Sequence, residues 1–138
     1  SIAEDFHVSF VPRLNQSCSA ILASLTKGVY TRMAVDDNLN LYIQSQKRSL
    51  PLTALSRGTV EQVYLALRLA LVDCFWPDQS VPLFLDDSFA LYDDERLEQA
   101  LLWLEQNYKG QIFLFTCHNR EEKLLNMHNI IHTYIKIG

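Results

Sequence analysis

Three stretches of the chain hold side chains whose types and spacing could do chemistry. Ser56 and Gly58 open the apolar run LSRGTVEQVYLALRLAL, Asp86-Asp87 end VPLFL, and His118 follows QIFLF. A hydroxyl and free backbone N–H groups at a helix start bind anions, helped by a helix dipole worth about 0.3 to 1 kcal/mol per charge. Two adjacent carboxylates at a strand end are costly unless something positive sits beside them, and a hydrated magnesium ion with a phosphate meets that need. Both features point to phosphate chemistry. Each residue also has a plainer reading: Ser56 as an ordinary N-cap with an incidental Gly58, Asp86 and Asp87 as loop-capping carboxylates, and His118 as a satisfied structural histidine. Cys18, Cys74 and Cys117 are an odd number at wide spacings, which suits reduced packing thiols and offers no paired metal-ligand motif.

These residues need elements to position them. Residues 1–12 give little signal and end at Pro12; Leu14, Cys18, Ile21, Leu22 and Leu25 then recur at helical spacing up to a Gly28 stop. VYTRMAV and LNLYIQS flank Asp36-Asp37-Asn38, and Leu39, Leu41 and Ile43 alternate with polar neighbours, which predicts an antiparallel hairpin. From Ser56, a stripe of Val60, Val63, Tyr64, Leu67, Leu71 and Phe75 predicts a largely buried helix, roughly 28 Å long, ended by Pro77. VPLFL has the uninterrupted apolar character of a central strand in a parallel sheet, and QIFLF that of another buried strand. Between them lies a helix with Asp93, Asp94 and Glu95 in its first turn, Leu97, Ala100, Leu101 and Leu104 inward, and Gly110 at its close. Asn119 with Glu122 reads as a capping box for a short helix over 121–127, with Glu121-Glu122 as a solvated start, and IIHTYIKI as a last strand. The fold expected is α/β: a parallel sheet flanked by helices, with an N-terminal helix and a small antiparallel hairpin. Function in such folds sits at the carboxyl ends of the strands, where Asp86, Asp87 and His118 fall.

At 138 residues, 49% hydrophobic and 20% charged, the composition is that of one globular domain or part of one. A net charge of −4 gives no bulk pull toward nucleic acid or an anionic membrane. No stretch approaches the roughly 18 apolar residues of a membrane span, and the first residues lack a signal-peptide order, so a cytoplasmic location is expected.

LSRGTVEQ, VPLFLDD, ALYD and LFTCH resemble, in order, the signature motif, Walker B strand, D-loop and switch histidine of an ABC-type ATPase head. The branch most similar is the SMC-like group, and within it the YhaN-like AAA proteins. The likeness covers about residues 20–138, and Asp93 follows Asp86 by the seven residues that separate Walker B and D-loop aspartates in the family. It implies ATP and Mg2+ as cofactors, Asp86 on the magnesium side, Asp87 in the place of the usual catalytic glutamate, and His118 at the terminal phosphate. Ser56, Gly58 and Asp93 would serve a nucleotide bound by a second head, so that ATP is hydrolysed between two copies, with DNA repair or chromosome maintenance as the setting. Arg57 and Thr59 depart from the commoner LSGGQ form, and the likeness assigns them no role.

A phosphate-binding P-loop needs G-x-x-x-x-G-K-[ST], and the glycines at 28, 58, 110 and 138 never stand five apart. The resemblance is therefore to a carboxyl-terminal half: residues 1–28 as a segment and helix entering from a coiled coil, and 29–138 as the head lobe. Such a chain needs an amino-terminal Walker A lobe as partner and is inactive without it. The alternative is a non-catalytic, partner-binding module. A phospho-receiver domain also pairs carboxylates after a strand, but it requires an aspartate at the end of a later one, where QIFLF runs instead into Thr116, Cys117 and His118.

Overall fold

The computed structural model describes residues 2–35, 38 and 40–138, with side chains from residue 9 onward. Its elements run α1 (Ile2–Leu25), β1 (Tyr30–Val35), β2 (Leu41–Ser45), β3 (Ser49–Pro51), a 3₁₀ turn (Leu52–Ala54), α2 (Arg57–Phe75), β4 (Leu83–Asp86), α3 (Asp94–Asn107), β5 (Ile112–Phe115) and α4 (Arg120–Met127). Strands β4 and β5 pair in parallel, and β1-β2-β3 form an antiparallel sheet. The α/β class read from the sequence holds.

Helix α1 runs straight through Pro12 rather than starting beyond it. A proline ring removes one hydrogen bond, and Pro12 lies on the solvent side, where water can satisfy the carbonyl it frees. The helix ends in left-handed backbone at Lys27 and Gly28 (φ 51° and 80°), as the glycine stop predicts. In the hairpin, Met33 pairs with Ile43 and both are buried, while the third strand places Leu50 opposite Ile43. The expected turn residues Asp36 and Asp37, and Leu39 of the alternating pattern, lie outside the described residues.

Helix α2 has its expected length, but its inward face is not the expected stripe. Gly58, Thr59, Gln62, Val63, Leu65, Ala66, Leu69, Ala70 and Cys74 are buried, whereas Tyr64 and Phe75 are 51% and 53% exposed. The helix is apolar on almost every side, so periodicity could not choose the face; small residues let α2 lie close against α1, and that contact decides. On α3 the expected residues Leu97, Ala100, Leu101 and Leu104 are all buried. Asp93 is the N-cap of α3 rather than part of its first turn.

Strand β4 buries Leu83 and Leu85 on one face and exposes Phe84 and Asp86 on the other. Phe84 stacks on Phe113 of β5 at 4.8 Å, leaving an aromatic surface on the uncovered side of the sheet. Gly110 follows the helix end, and its deeper reason is packing: a Cβ there would stand 2.1 Å from the Val81 carbonyl oxygen. IIHTYIKI forms no strand. Ile131 is 100% exposed and Tyr134, Ile135 and Ile137 mostly so, because no strand among the described residues pairs with them. The capping box is also absent: Asn119 has helical backbone (φ −92°, ψ −11°) and makes no side-chain cap bond, and Glu121 is buried rather than solvated. Cys18 and Cys74 are buried packing thiols as expected, while Cys117 is exposed.

Candidate functional site

The singled-out residues gather in two groups joined by the loop 87–93. In the first, β4 and β5 end level with each other, Asp86 opposite Phe115, so that Asp86, Asp87 and His118 leave the sheet at one edge. The Asp87 N–H donates to the Phe115 carbonyl at 2.8 Å, which extends the ladder by a residue and holds Asp87 in left-handed backbone (φ 51°). Aspartate tolerates that conformation better than most residues, and the chain turns sharply there out of the sheet. Asp86, Asp87 and His118 are exposed, and the His118 N–H is fixed by the Thr116 hydroxyl at 3.0 Å.

Among the described residues no arginine, lysine or histidine pairs with Asp86 or Asp87. Two unneutralised oxygen donors at a strand end are a fitting donor set for a hard cation. No cluster of three metal-ligating side chains occurs among the described residues. That is compatible with Mg2+, which is commonly held by one or two carboxylates together with phosphate oxygens.

The second group is Ser56, Gly58 and Asp93. Ser56 has extended backbone and caps α2, its hydroxyl accepting from the Thr59 N–H at 3.2 Å. Gly58 is buried, and a Cβ on it would stand 3.3 Å from the Leu91 carbonyl and 3.4 Å from the Arg96 Cδ. The space its missing side chain leaves is thus used by the chain's own loop 87–93, a packing demand that the sequence did not announce. Asp93 accepts from the Arg96 N–H at 2.8 Å and from its guanidinium Nη1 at 2.5 Å.

Arg96, which sequence reasoning passed over, ties this group together. Its Nε donates to Gln62 Oε1 and its Nη2 to Thr59 Oγ1, each at 3.2 Å, while Nη1 holds Asp93. Thr59 and Gln62 are only 2% and 3% exposed, so half-buried Arg96 serves buried acceptors, for which a lost partner is expensive. Arg120, two residues beyond His118, was missed in the same way. Its guanidinium donates to the Tyr92 and Phe89 carbonyls, each at 2.6 Å, and so pins the loop 87–93 to the start of α4. Two arginines therefore grip this loop, Arg96 from the Ser56 side and Arg120 from the His118 side. Tyr92, between them, is buried, and its phenol is pushed well above its usual range, first by burial and then by Glu61, with Arg96 opposing.

The fold is that of SMC ATPase head domains, as the four motifs implied. It matches a structure from work on ATP-driven dimerisation and DNA-stimulated activation of SMC ATPases with a TM-score of 0.73 and 20% identity, over 88% of this chain and 76% of that one. An SMC head bound to the C-winged helix domain of ScpA matches at 0.71 and 17% identity, over 88% and 39%. The SMC head domain from Thermotoga maritima matches at 0.65 and 24%, over 87% and 43%. In sequence, the chain is 33% identical over 127 residues to the uncharacterized protein YhaN of Bacillus subtilis strain 168, covering 88% of this chain. It spans only 13% of YhaN's length. No protein-family model matches. No helix among the described residues is long and apolar enough to cross a membrane.

Proposed function

We propose that this chain is the carboxyl-terminal lobe of a cytoplasmic ATPase head in which ATP is bound and hydrolysed between two heads. The observation that carries the proposal is that its site residues fall in two groups, Asp86, Asp87 and His118 at the ends of β4 and β5 and Ser56 and Gly58 at the start of α2, with the loop 87–93 between them. Asp86, Asp87 and His118 sit at the strand ends, where the same head's nucleotide would lie. Ser56 with the N–H groups of the α2 start lies apart from them, available to the nucleotide of a second head. A site built this way closes only when two copies meet.

Asp86 would hold Mg2+, Asp87 would orient the attacking water, and His118 would contact the terminal phosphate. Bound Mg2+ supplies charge neutralisation on the phosphates. Ser56 and the α2 N-terminus would meet the partner's terminal phosphate, with Gly58 contributing its backbone N–H, and Asp93 would serve the same interface through the loop it closes. These fixed donors are the kind of preorganised electrostatics that stabilise charge in phosphoryl transfer.

The exposed surfaces support an absent amino-terminal lobe. The Phe84–Phe113 face, Tyr64 of α2 and the unpaired IIHTYIKI segment are apolar and largely exposed, while half-exposed Phe75 packs its ring on Phe10 of α1 at 5.0 Å. A lobe carrying the P-loop would cover them, and α1 would continue from a coiled coil as the 1–28 segment of the head. DNA maintenance as the setting follows from kinship with SMC proteins. The test is reconstitution: the isolated chain is expected not to hydrolyse ATP, and addition of an amino-terminal Walker A lobe creates turnover. Steady turnover by the 138-residue chain alone contradicts the proposal.

A further inference from the structure

Thr59 occupies a signature position that in this chain carries a hydroxyl, and its surroundings fix what that hydroxyl does. Arg96 Nη2 can only donate, so Thr59 Oγ1 accepts from it at 3.2 Å. Ser56 Oγ lies 2.9 Å from the same oxygen, and either hydroxyl could supply the proton between them. If Ser56 supplied it, the Thr59 proton would be left in a site only 2% exposed, with no other acceptor among the described residues. A buried donor without a partner is costly, so Thr59 donates to Ser56. Ser56 Oγ then accepts from both the Thr59 hydroxyl and the Thr59 N–H at 3.2 Å. Its acceptor capacity is spent, and its own proton is the one group left to interact outward, where Ser56 is exposed.

We propose that Thr59, polarised by Arg96, is a positioning residue that turns the Ser56 hydroxyl into an outward-pointing donor for the phosphate presented by a second head. This rests on the shared-site reading given above. The relay strengthens the donor as well as aiming it: a charged guanidinium donating into Thr59 Oγ1 makes the Thr59 O–H a better donor, and that in turn sharpens the Ser56 O–H. Without the Thr59 hydroxyl, the Ser56 proton is free to rotate and its preorganisation is lost.

The test uses the complete head, formed by this chain with its amino-terminal lobe, and reads ATP-dependent association of heads by sedimentation, with ATP affinity of the single head and thermal melting measured alongside. Thr59→Val keeps the shape and removes the hydroxyl; it is expected to weaken association about 2- to 12-fold, the factor for one hydrogen-bond equivalent, while single-head ATP affinity stays put. Thr59→Ser, which restores a hydroxyl, recovers association. Arg96→Lys keeps a cation near Asp93 but cannot reach Gln62 and Thr59 together, so it weakens association in the same direction and covers the case in which Thr59→Val fails to fold. Parental association in a folded Thr59→Val or Arg96→Lys head, or a Thr59→Ser head as impaired as Thr59→Val, overturns the relay. Ser56→Ala separates the two proposals: if it weakens association and Thr59→Val does not, the relay alone is wrong. If Ser56→Ala changes nothing, the shared-site reading fails and the relay with it.

Discussion

Replacing Arg120 by alanine removes the fork that holds the loop 87–93 to α4. The side chain is 28% exposed and makes two charge-assisted bonds, to the Tyr92 and Phe89 carbonyls, each at 2.6 Å. A hydrogen bond to a charged group contributes about 1.5 to 3 kcal/mol, and partial solvent screening lowers each toward the bottom of that range, so Arg120→Ala should cost about 2 to 4 kcal/mol. The ion pair to Asp94 adds little, because at 3.4 Å it joins Arg120 to a carboxylate that is 89% exposed. Asp94→Ala should therefore cost less than about 1 kcal/mol. Urea unfolding followed by far-UV dichroism measures both. With a slope of about 1 to 3 kcal/mol per molar, Arg120→Ala lowers the midpoint by about 0.7 to 4 M and Asp94→Ala by a small fraction of that. Hydrogen exchange should quicken first in 87–93, since that segment has lost its outer anchor. A loss under about 0.5 kcal/mol for Arg120→Ala, or equal losses for both variants, would refute the view that Arg120 holds the loop through its carbonyls.

In the complete head, Asp87→Asn should slow turnover about 10²- to 10⁴-fold and prolong the ATP-bound dimer, measured by single-turnover assay and sedimentation; a parental rate makes Asp87 a structural carboxylate, with His118 the next residue to change. Gly110→Ala must push a methyl toward a carbonyl 2.1 Å away, so denaturant unfolding should show a loss of about 1 to 3 kcal/mol, and an unchanged midpoint would disprove the close approach. Burial pushes the Cys18 thiol up from 9.0 to about 12, so the folded state keeps it neutral where the unfolded chain ionises. Its contribution to stability is whole below about pH 9 and declines as pH rises from there toward 12, a trend that Cys18→Ala should lessen in pH-dependent unfolding. Exposed Cys117 should react with a maleimide at neutral pH while Cys18 does so only on unfolding.

The elements were legible where a local pattern dictates the structure. Leu97, Ala100, Leu101 and Leu104 lie on one side of α3 whatever surrounds it, and the apolar runs VPLFL and QIFLF stop within one residue of their strand ends, which put Asp86 and His118 at one edge. Patterns failed where a neighbour decides. The stripe through Tyr64 and Phe75 was as apolar as the buried face, and only the small residues along Thr59, Ala66 and Ala70 distinguished the two. IIHTYIKI alternates like a strand but has nothing to pair with among the described residues. The polar network was hidden for a related reason: Arg96 reaches Gln62 and Thr59, 34 and 37 residues away in sequence, and on a helix such residues look like solvent-facing ones. One signal was present: Thr59 and Gln62 stand three apart on an otherwise apolar helix, a spacing that puts both on one face.

The claim that two heads share each nucleotide is tested most directly by sedimentation of the complete head with and without ATP, for the parental protein and for Ser56→Arg. ATP should convert the parental head from one copy to two, while Ser56→Arg stays single with its own ATP affinity within about twofold of the parent, because the proposed shared site has Ser56 face the other head's nucleotide and not its own. A Ser56→Arg head that dimerises with ATP as readily as the parent would mean that the α2 start is only a helix cap, and the account of a shared site would be wrong.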